Sequence, residues 1–172
     1  QISPSGDKVL YQRNFNDIMT DQSFSNIWLI DYDGNNNRPI TTGNFKDNSP
    51  KWSNQGDKFL FRSNREGKSQ IFLFDLNNNS IQKLTNFQYS IESTQWSPDD
   101  NYILFSSFID SERDTLIEMP DKPKGAKWND PPVEISDLNY RYDSSGFRKP
   151  GEDQLFTSPV NGGTPRQIRN IK

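Results

Sequence analysis

Apolar and polar residues alternate along this chain in short bursts that recur in a fixed order. In Lys58-Phe59-Leu60-Phe61-Arg62-Ser63, Phe59 and Phe61 fall on one side and Leu60 and Arg62 on the other. That period of two is what a pleated strand produces. Lys8 to Arg13 and Tyr102 to Phe108 read the same way. A second burst follows each: Asn26-Ile27-Trp28-Leu29-Ile30-Asp31 matches Gln70-Ile71-Phe72-Leu73-Phe74-Asp75 position for position. Near-continuous apolar runs of this length suit strands sandwiched between two layers. They end in Asp33-Gly34-Asn35 and Asn77-Asn78-Asn79, residue types that accept positive φ in tight turns. A polar strand then closes the unit, Arg38 to Thr42 and Gln82 to Thr85, and its polarity and Pro39 suit an exposed edge. No helix of three turns or more can be placed on this pattern.

One phrase opens each unit. It reads Ile2-Ser3-Pro4-Ser5-Gly6-Asp7, then Trp52-Ser53-Asn54-Gln55-Gly56-Asp57, then Trp96-Ser97-Pro98-Asp99-Asp100-Asn101, with the shared serines offset by 50 and 44 residues. Short strands repeating at about 40–50 residues are the signature of propeller blades. The expected fold is therefore all-β, a partial β-propeller of about four blades, each a small antiparallel sheet, at residues 1–43, 44–86, 87–137 and 138–172. The first blade lacks most of its innermost strand, so the chain reads as starting in mid-blade and as part of a larger ring. The third copy is interrupted. After Thr115 to Met119 come four prolines in the thirteen residues Pro120 to Pro132, which exclude a regular helix or central strand. Val133 to Ser136 then resumes as an outer strand. The fourth copy starts at Leu138-Asn139-Tyr140-Arg141-Tyr142-Asp143 and continues through Gln154 to Val160 and Pro165 to Ile168.

Composition narrows the chemistry. Only 30% of the 172 residues are hydrophobic but 13% are aromatic, which suits thin inter-sheet layers in which each apolar residue buries a large area. The low apolar content alone would fit disorder, and the ordered alternation argues against it. Net charge is −3 with both signs interspersed, so no basic stripe tracks a phosphate backbone and nucleic acid is not expected as a partner. No run reaches membrane-spanning length, and no membrane partner is expected. The chain has no cysteine and no histidine, which removes disulfides, thiolate nucleophiles, the usual zinc sites and a Ser-His-Asp triad. No metal or other cofactor is expected. Composition does not choose between a cytoplasmic and a periplasmic location.

The Trp-Ser-Pro-Asp-Asp phrase, the Ile-Phe-Leu-Phe-Asp strand and Lys83-Leu84-Thr85 together resemble the WD-repeat-like blades of TolB and of prolyl oligopeptidase-type serine peptidases. Met119 to Trp128, Asn139 to Asp143, and Asn161-Gly162-Gly163-Thr164-Pro165 are similar to the propeller of the acylaminoacyl-peptidase and dipeptidyl-peptidase branch. The resemblance implies an N-terminal propeller over an α/β-hydrolase domain, admitting short peptides and excluding folded proteins. This chain departs from the full enzyme, because it holds no Gly-x-Ser-x-Gly elbow and no histidine base. The triad, if the parent is a serine peptidase, lies beyond Lys172, and the peptide substrate is met through that missing domain. The alternative is a TolB-like protein-binding module with no enzyme attached. A polysaccharide-lyase propeller fits less well, since that chemistry leans on metal or histidine groups.

Few individual residues invite a functional reading. Trp52 and Trp96 hold the same place in two repeats, which makes them packing residues rather than a stacking pair for a ligand. Asp31 to Asn35 hints at a calcium loop but has Asn36 and Thr42 where glycine and glutamate are required, so a hairpin turn is the better account. Asp7, Asp57 and Asp99 are expected to cap their turns through backbone amides. Arg62, Arg65 and Glu66 read equally as substrate-facing or as a solvated turn. Arg141, Tyr142 and Asp143 are the candidate substrate-binding residues: a guanidinium beside a phenol and an acid can hold a peptide carboxylate or carbonyl. A structural Arg–Asp pair is the competing account. Trp128 is the candidate contact with another domain or subunit. Uncovered blade edges lead us to expect association between copies.

Overall fold

A computed structural model describes residues 1–111, 120–129, 141–143, 146–147 and 149–168. Among the described residues there are thirteen strands and no helix. They are β1 (Lys8–Asp17), β2 (Gln22–Asp31), β3 (Arg38–Pro39), β4 (Asn48–Trp52), β5 (Lys58–Ser63), β6 (Gln70–Asp75), β7 (Ser80–Lys83), β8 (Ile91–Trp96), β9 (Tyr102–Asp110), β10 (Arg141–Tyr142), β11 (Gly146–Phe147), β12 (Gly151–Pro159) and β13 (Arg166–Gln167). They form four sheets, ordered β1-β2-β3, β4-β5-β6-β7, β8-β9-β12-β13 and β10-β11. Ile2 adds an isolated antiparallel bridge to Val9, matching the Trp52–Phe59 and Trp96–Ile103 pairs of the other two sheets. The expected partial propeller of small antiparallel sheets is present.

The chain divides into two compact units, Gln1–Phe108 with Asp153–Lys172, and Ile109–Glu152. The larger unit is built by repetition. In all three of its sheets the backbone N–H of the serine bonds to the carbonyl five residues on: Ser3 to Lys8, Ser53 to Lys58 and Ser97 to Tyr102, at 2.8, 2.9 and 2.8 Å. The N–H three residues after the serine returns to the serine carbonyl, from Gly6, Gly56 and Asp100. That position needs positive φ, which glycine adopts freely at 76° in two copies and Asp100 adopts at 56° in the third.

The third sheet is where the observed assignment departs from the expected one. β12 and β13, expected in a blade of their own at residues 138–172, belong to another sheet. β12 and β13 hydrogen-bond into the sheet of β8 and β9 and supply its outer half. The repeat geometry agrees: Val160 N–H bonds the Asn101 carbonyl as Tyr32 bonds Asp7 and Leu76 bonds Asp57. Ile168 N–H bonds Leu155 as Ile40 bonds Ile27 and Leu84 bonds Ile71. The interruption thus sits in the connection between the second and third strands of the third sheet, and β12 and β13 on its far side complete that sheet. Thr115 to Met119, the outer strand expected at Val133 to Ser136, and Leu138 to Tyr140 lie outside the described residues.

The core lies between sheets. Leu10, Ile27 and Leu29 of the first sheet pack against Trp52, Phe59, Phe61, Phe72 and Phe74 of the second. Phe59 and Phe74 stack at 5.1 Å between centroids, and Phe61 and Phe72 at 5.7 Å. On the third sheet Phe105 and Phe156 stack at 5.5 Å, with Phe87 against both. The smaller unit contains the β10–β11 pair, in which Arg141 faces Phe147 and Tyr142 faces Gly146. Within the same unit Ser111 N–H bonds the Pro150 carbonyl at 3.1 Å.

Candidate functional site

The polar groups of the larger unit serve chiefly to lock one sheet to the next. Each indole of the repeated phrase reaches back one sheet. Trp52 Nε1 donates to the Gln1 carbonyl at 3.2 Å, and Trp96 Nε1 to the equivalent Lys51 carbonyl at 2.9 Å. Both tryptophans are buried, so the structural reading of them holds. Trp52 N–H also donates to Gln1 Oε1 at 2.8 Å.

At the turn end, each serine hydroxyl donates to a nearby aspartate. Ser3 bonds Asp7 at 2.9 Å, Ser53 bonds Asp57 at 3.1 Å and Ser97 bonds Asp99 at 2.6 Å. The expectation that these acids cap backbone amides is corrected for the first two, whose carboxylates accept the serine hydroxyl. Asp99 stands two residues after its serine rather than four; it accepts from the Asn101 N–H at 3.2 Å as well. The Lys8 ammonium and the Ser5 and Ser3 hydroxyls hold the Asp7 carboxyl well below the usual carboxylate range. The Ser97 hydroxyl and then Asn101 bring Asp99 down to about 2. Each serine hydroxyl thus closes its own turn onto a neighbouring carboxylate.

Asp100 was not foreseen. Its carboxylate crosses to the second sheet and accepts from Asn54 N–H at 2.9 Å, Asn54 Nδ2 at 2.7 Å and Gln55 N–H at 3.1 Å. At the preceding junction the same place is filled by contact: a Cβ on Gly56 would lie 3.3 Å from Pro4 Cδ. Reading the spacing from serine, rather than the identity of the acid, separates Asp100 from Asp7 and Asp57.

Beside the middle sheet lies an ion pair with a fully buried carboxylate. Arg65 Nη2 bonds both oxygens of Asp47 at 3.1 and 3.0 Å, and Asp47 is fully buried. The guanidinium also lies 4.8 Å from the Phe72 ring centroid and 5.4 Å from those of Phe45 and Phe61. Arg62 donates to the Ile91 carbonyl at 3.1 Å, to the Glu92 carbonyl, and to Ser49 Oγ at 2.8 Å, tying the second sheet to β8. Burial lowers its pKa, partly opposed by Glu92. Glu66 pairs with Lys83. Arg65 and Glu66 lie in the expected turn, closed by Gly67 N–H to the Asn64 carbonyl at 2.9 Å with Glu66 exposed, while the Arg62 and Arg65 guanidiniums serve as inter-sheet and ion-pair clamps. The Asp31 to Asn35 segment is a hairpin turn closed by Asp31 N–H to Asn35 O at 3.0 Å.

The proposed binding residues fall in the smaller unit. Arg141 and Tyr142 form β10, Asp143 turns the hairpin, and the Arg141 and Asp143 side chains are exposed. Among the described residues no ion pair joins Arg141 to Asp143. Trp128 is 45% exposed within the run 120–129, which contains no strand. Among the described residues no group of three or more acidic side chains is placed to hold a metal ion, and no helix is long and apolar enough to cross a membrane.

Residues 1–124 match a family profile described as the TolB beta propeller domain. The chain belongs to this TolB β-propeller family. Solved structures agree on the fold. An acylaminoacyl peptidase from Pyrococcus horikoshii superposes with a TM-score of 0.67 at 18% identity, covering 94% of this chain and 23% of that one. A putative TolB from Agrobacterium tumefaciens gives 0.60 at 18% identity, covering 96% and 46%. The AtxE2 isopeptidase gives 0.64 at 16%, covering 99% and 28%. The chain therefore spans between about a quarter and a half of the structures it resembles. No curated protein matches it. The TolB-family propeller is thus related in fold both to TolB and to peptidase propellers.

Proposed function

We propose that this TolB-family propeller is the non-catalytic portion of a prolyl oligopeptidase-type serine peptidase, acylaminoacyl- or dipeptidyl-peptidase-like, and that it screens and positions peptides for a hydrolase domain. The observation that carries this reading is where the repeat is elaborated. The connection between second and third strands is a tight loop in the middle sheet, between Ser63 and Gln70. In the first sheet the same hairpin runs on to Asp17 and Gln22, and in the third it holds the separate unit Ile109–Glu152. The opposite serine turns keep the same two backbone hydrogen bonds in all three sheets. A scaffold held rigid at one end and varied at the other is how loops are given recognition tasks. In this reading Arg141, Tyr142 and Asp143 hold a peptide carboxylate or carbonyl, and Trp128 contacts a neighbouring domain or subunit.

The complete polypeptide carrying this segment is expected to react with a fluorophosphonate probe and to cleave short peptides while leaving folded proteins intact. The 172-residue chain alone is expected to do neither. An unlabelled complete polypeptide, or a labelled 172-residue chain, overturns the reading. The second reading, a TolB-like protein-binding module, is favoured by the family description itself and by the coverage of the TolB structure. It requires an unlabelled complete polypeptide, so the one probe separates the two.

A further inference from the structure

The two internal junctions of the larger unit follow one plan but are not packed alike. In the first, Trp52 meets Phe59 edge-on at 5.7 Å, Phe59 stacks on Phe74 at 5.1 Å, and Leu76 packs against the same cluster. The repeat puts Trp96, Ile103, Ser158 and Val160 at the corresponding places in the second. Ile103, Ser158 and Val160 are each smaller than their counterparts. A cleft of about 170 Å³ lies there, between Asp57 and Lys58 on one side and Trp96, Asn101 and Val160 on the other. Ser158 is fully buried, and its hydroxyl has no hydrogen-bond partner. Lost ring contacts and an unpartnered buried hydroxyl both weaken a packed layer. The cleft is not a ligand seat, because its carboxylates are already engaged. Asp57 accepts from Ser53, Asp99 from Ser97 and Asn101, and Asp100 from Asn54 and Gln55.

We propose that the second junction is a latched seam: the turn end of the third sheet swings away from the second sheet, and the Asp100 carboxylate is the latch. The polar ties across the junction set where it bends. Trp96 Nε1 to the Lys51 carbonyl, Arg62 to the Ile91 carbonyl and Asn54 Nδ2 to the Ser97 carbonyl all involve β8 or the turn that follows it. Among the described residues no hydrogen bond runs from the second sheet to β12 or β13. The inner edge is therefore tied, and the outer edge is held by packing alone. At the loop end a wedge remains, with Phe87 packed on Phe105 and Phe156 while its N–H donates to Gln70 Oε1 at 2.7 Å. The thin region is the turn end, and there Asp100 accepts three hydrogen bonds from Asn54 and Gln55. Releasing them frees the weakly packed corner to open without unfolding the rest. β9 runs out to the unit Ile109–Glu152 and β12 returns from it, so a tilt of the third sheet tilts both strands that carry that unit.

The 172 residues contain no cysteine, so one introduced thiol reports on one junction. Ser158→Cys places it in the seam. Ser63→Cys places it in the first junction, where Ser63 is fully buried on the face that carries Phe61. Ser63 accepts two bonds from Arg65, and sulfur accepts them less well, which speeds the control and works against the expected difference. Each variant of the complete polypeptide is treated with a thiol reagent under native conditions. Labelling at the introduced position is read by peptide mass mapping and normalised to its rate in urea. The thiol at position 158 should react about tenfold faster than the one at 63. Adding Asp100→Gly should speed labelling at 158 about tenfold and leave 63 unchanged. Adding Val160→Leu, which restores the bulk of Leu76, should slow 158 about threefold. Equal rates at 158 and 63 overturn the proposal, as does a rate at 158 that neither added substitution moves. Asp100→Gly speeding both positions alike overturns it too, because the opening is then global unfolding.

Discussion

The second sheet and the first are written in the same repeat but live in different surroundings. On β5 and β6, Phe59, Leu60, Phe61 and Ile71 are all at 0% exposure, although neighbours along a strand point to opposite faces. On β1 and β2 burial alternates: Leu10, Ile27 and Leu29 are buried, whereas Tyr11, Trp28 and Ile30 are half-buried. The sequence differs accordingly, Phe-Leu-Phe and Ile-Phe-Leu-Phe in the middle against Val-Leu-Tyr and Ile-Trp-Leu-Ile at the end. A sheet covered on both faces uses every apolar position, so a chain with few hydrophobic residues can still build dense layers. Phe61 and Tyr11 occupy equivalent positions and give the sharpest test. Phe61→Ala should cost about 3–5 kcal/mol in urea denaturation, as a fully buried aromatic does, and Tyr11→Ala about 1 kcal/mol. Equal losses would erase the distinction between covered and half-covered faces.

The middle sheet also holds the buried ion pair, and its loss should cost nearly as much. Asp47→Ala leaves the Arg65 guanidinium among Phe45, Phe61 and Phe72 with no anion, which for a buried pair costs about 3–4 kcal/mol. Adding Arg65→Met should recover much of that, because the apolar side chain packs against the same rings without a charge to satisfy. A double variant as unstable as the single one would place the contribution of Asp47 in its backbone setting instead. That setting is itself tight, with Asp47 N–H bonded to the Ser25 carbonyl and Ser25 Oγ to the Asp47 carbonyl.

The same contrast explains what could be read before any coordinates. Strand periodicity, the repeated serine turn and the turn residues are local, and each was legible because local chemistry decides it. The membership of β12 was legible in principle: Gln154-Leu155-Phe156 echoes Gln70-Ile71-Phe72. It was misassigned because a contiguous count of residues cannot see past an insertion that separates hydrogen-bonded strands. Asp47 and Asp100 were not legible. Asp47 lies in a connecting segment outside the repeated phrase, and its partner is 18 residues away in the chain. Asp100 acts on residues 45 and 46 positions earlier. Arg141, Tyr142 and Asp143 were chosen for their chemistry, and the structure sets them on one short hairpin without pairing the two charges.

A smaller effect separates the two internal junctions. The first is held at the turn end by Pro4 against Gly56, the second by the Asp100 carboxylate on Asn54 and Gln55. Asp100→Gly should gain about 0.5–1 kcal/mol from relief of the positive φ and lose about 1–2 kcal/mol of charge-assisted bonding, a net loss near 1 kcal/mol. Asp100→Asn keeps an acceptor and tolerates the same φ, so it should lose less. If glycine proves the more stable of the two, the carboxylate contributes nothing across the junction and contact alone holds both.

The smallest expected effect is in acid, and it belongs to the outer sheets, whose turns carry Asp7 and Asp99. Both carboxyls are lower in the folded chain than their ordinary value of 3.8, Asp99 at about 2. A depressed folded pKa means the unfolded chain binds the proton first as pH falls. The stabilisation is therefore complete above about pH 4 and drains away as pH descends toward about 2. Both side chains are solvent-exposed, so screening keeps the effect modest. Thermal midpoints followed from about pH 6 to pH 2 should fall across that window, and Asp99→Asn should flatten the fall while lowering the midpoint slightly at neutral pH. Because Ser97 and Asn101 hold Asp99 within its own turn, the flattening should be the same whether or not the second and third sheets are linked through Asp100. A slope that changes with Asp100→Asn would mean the turn and the junction titrate as one unit.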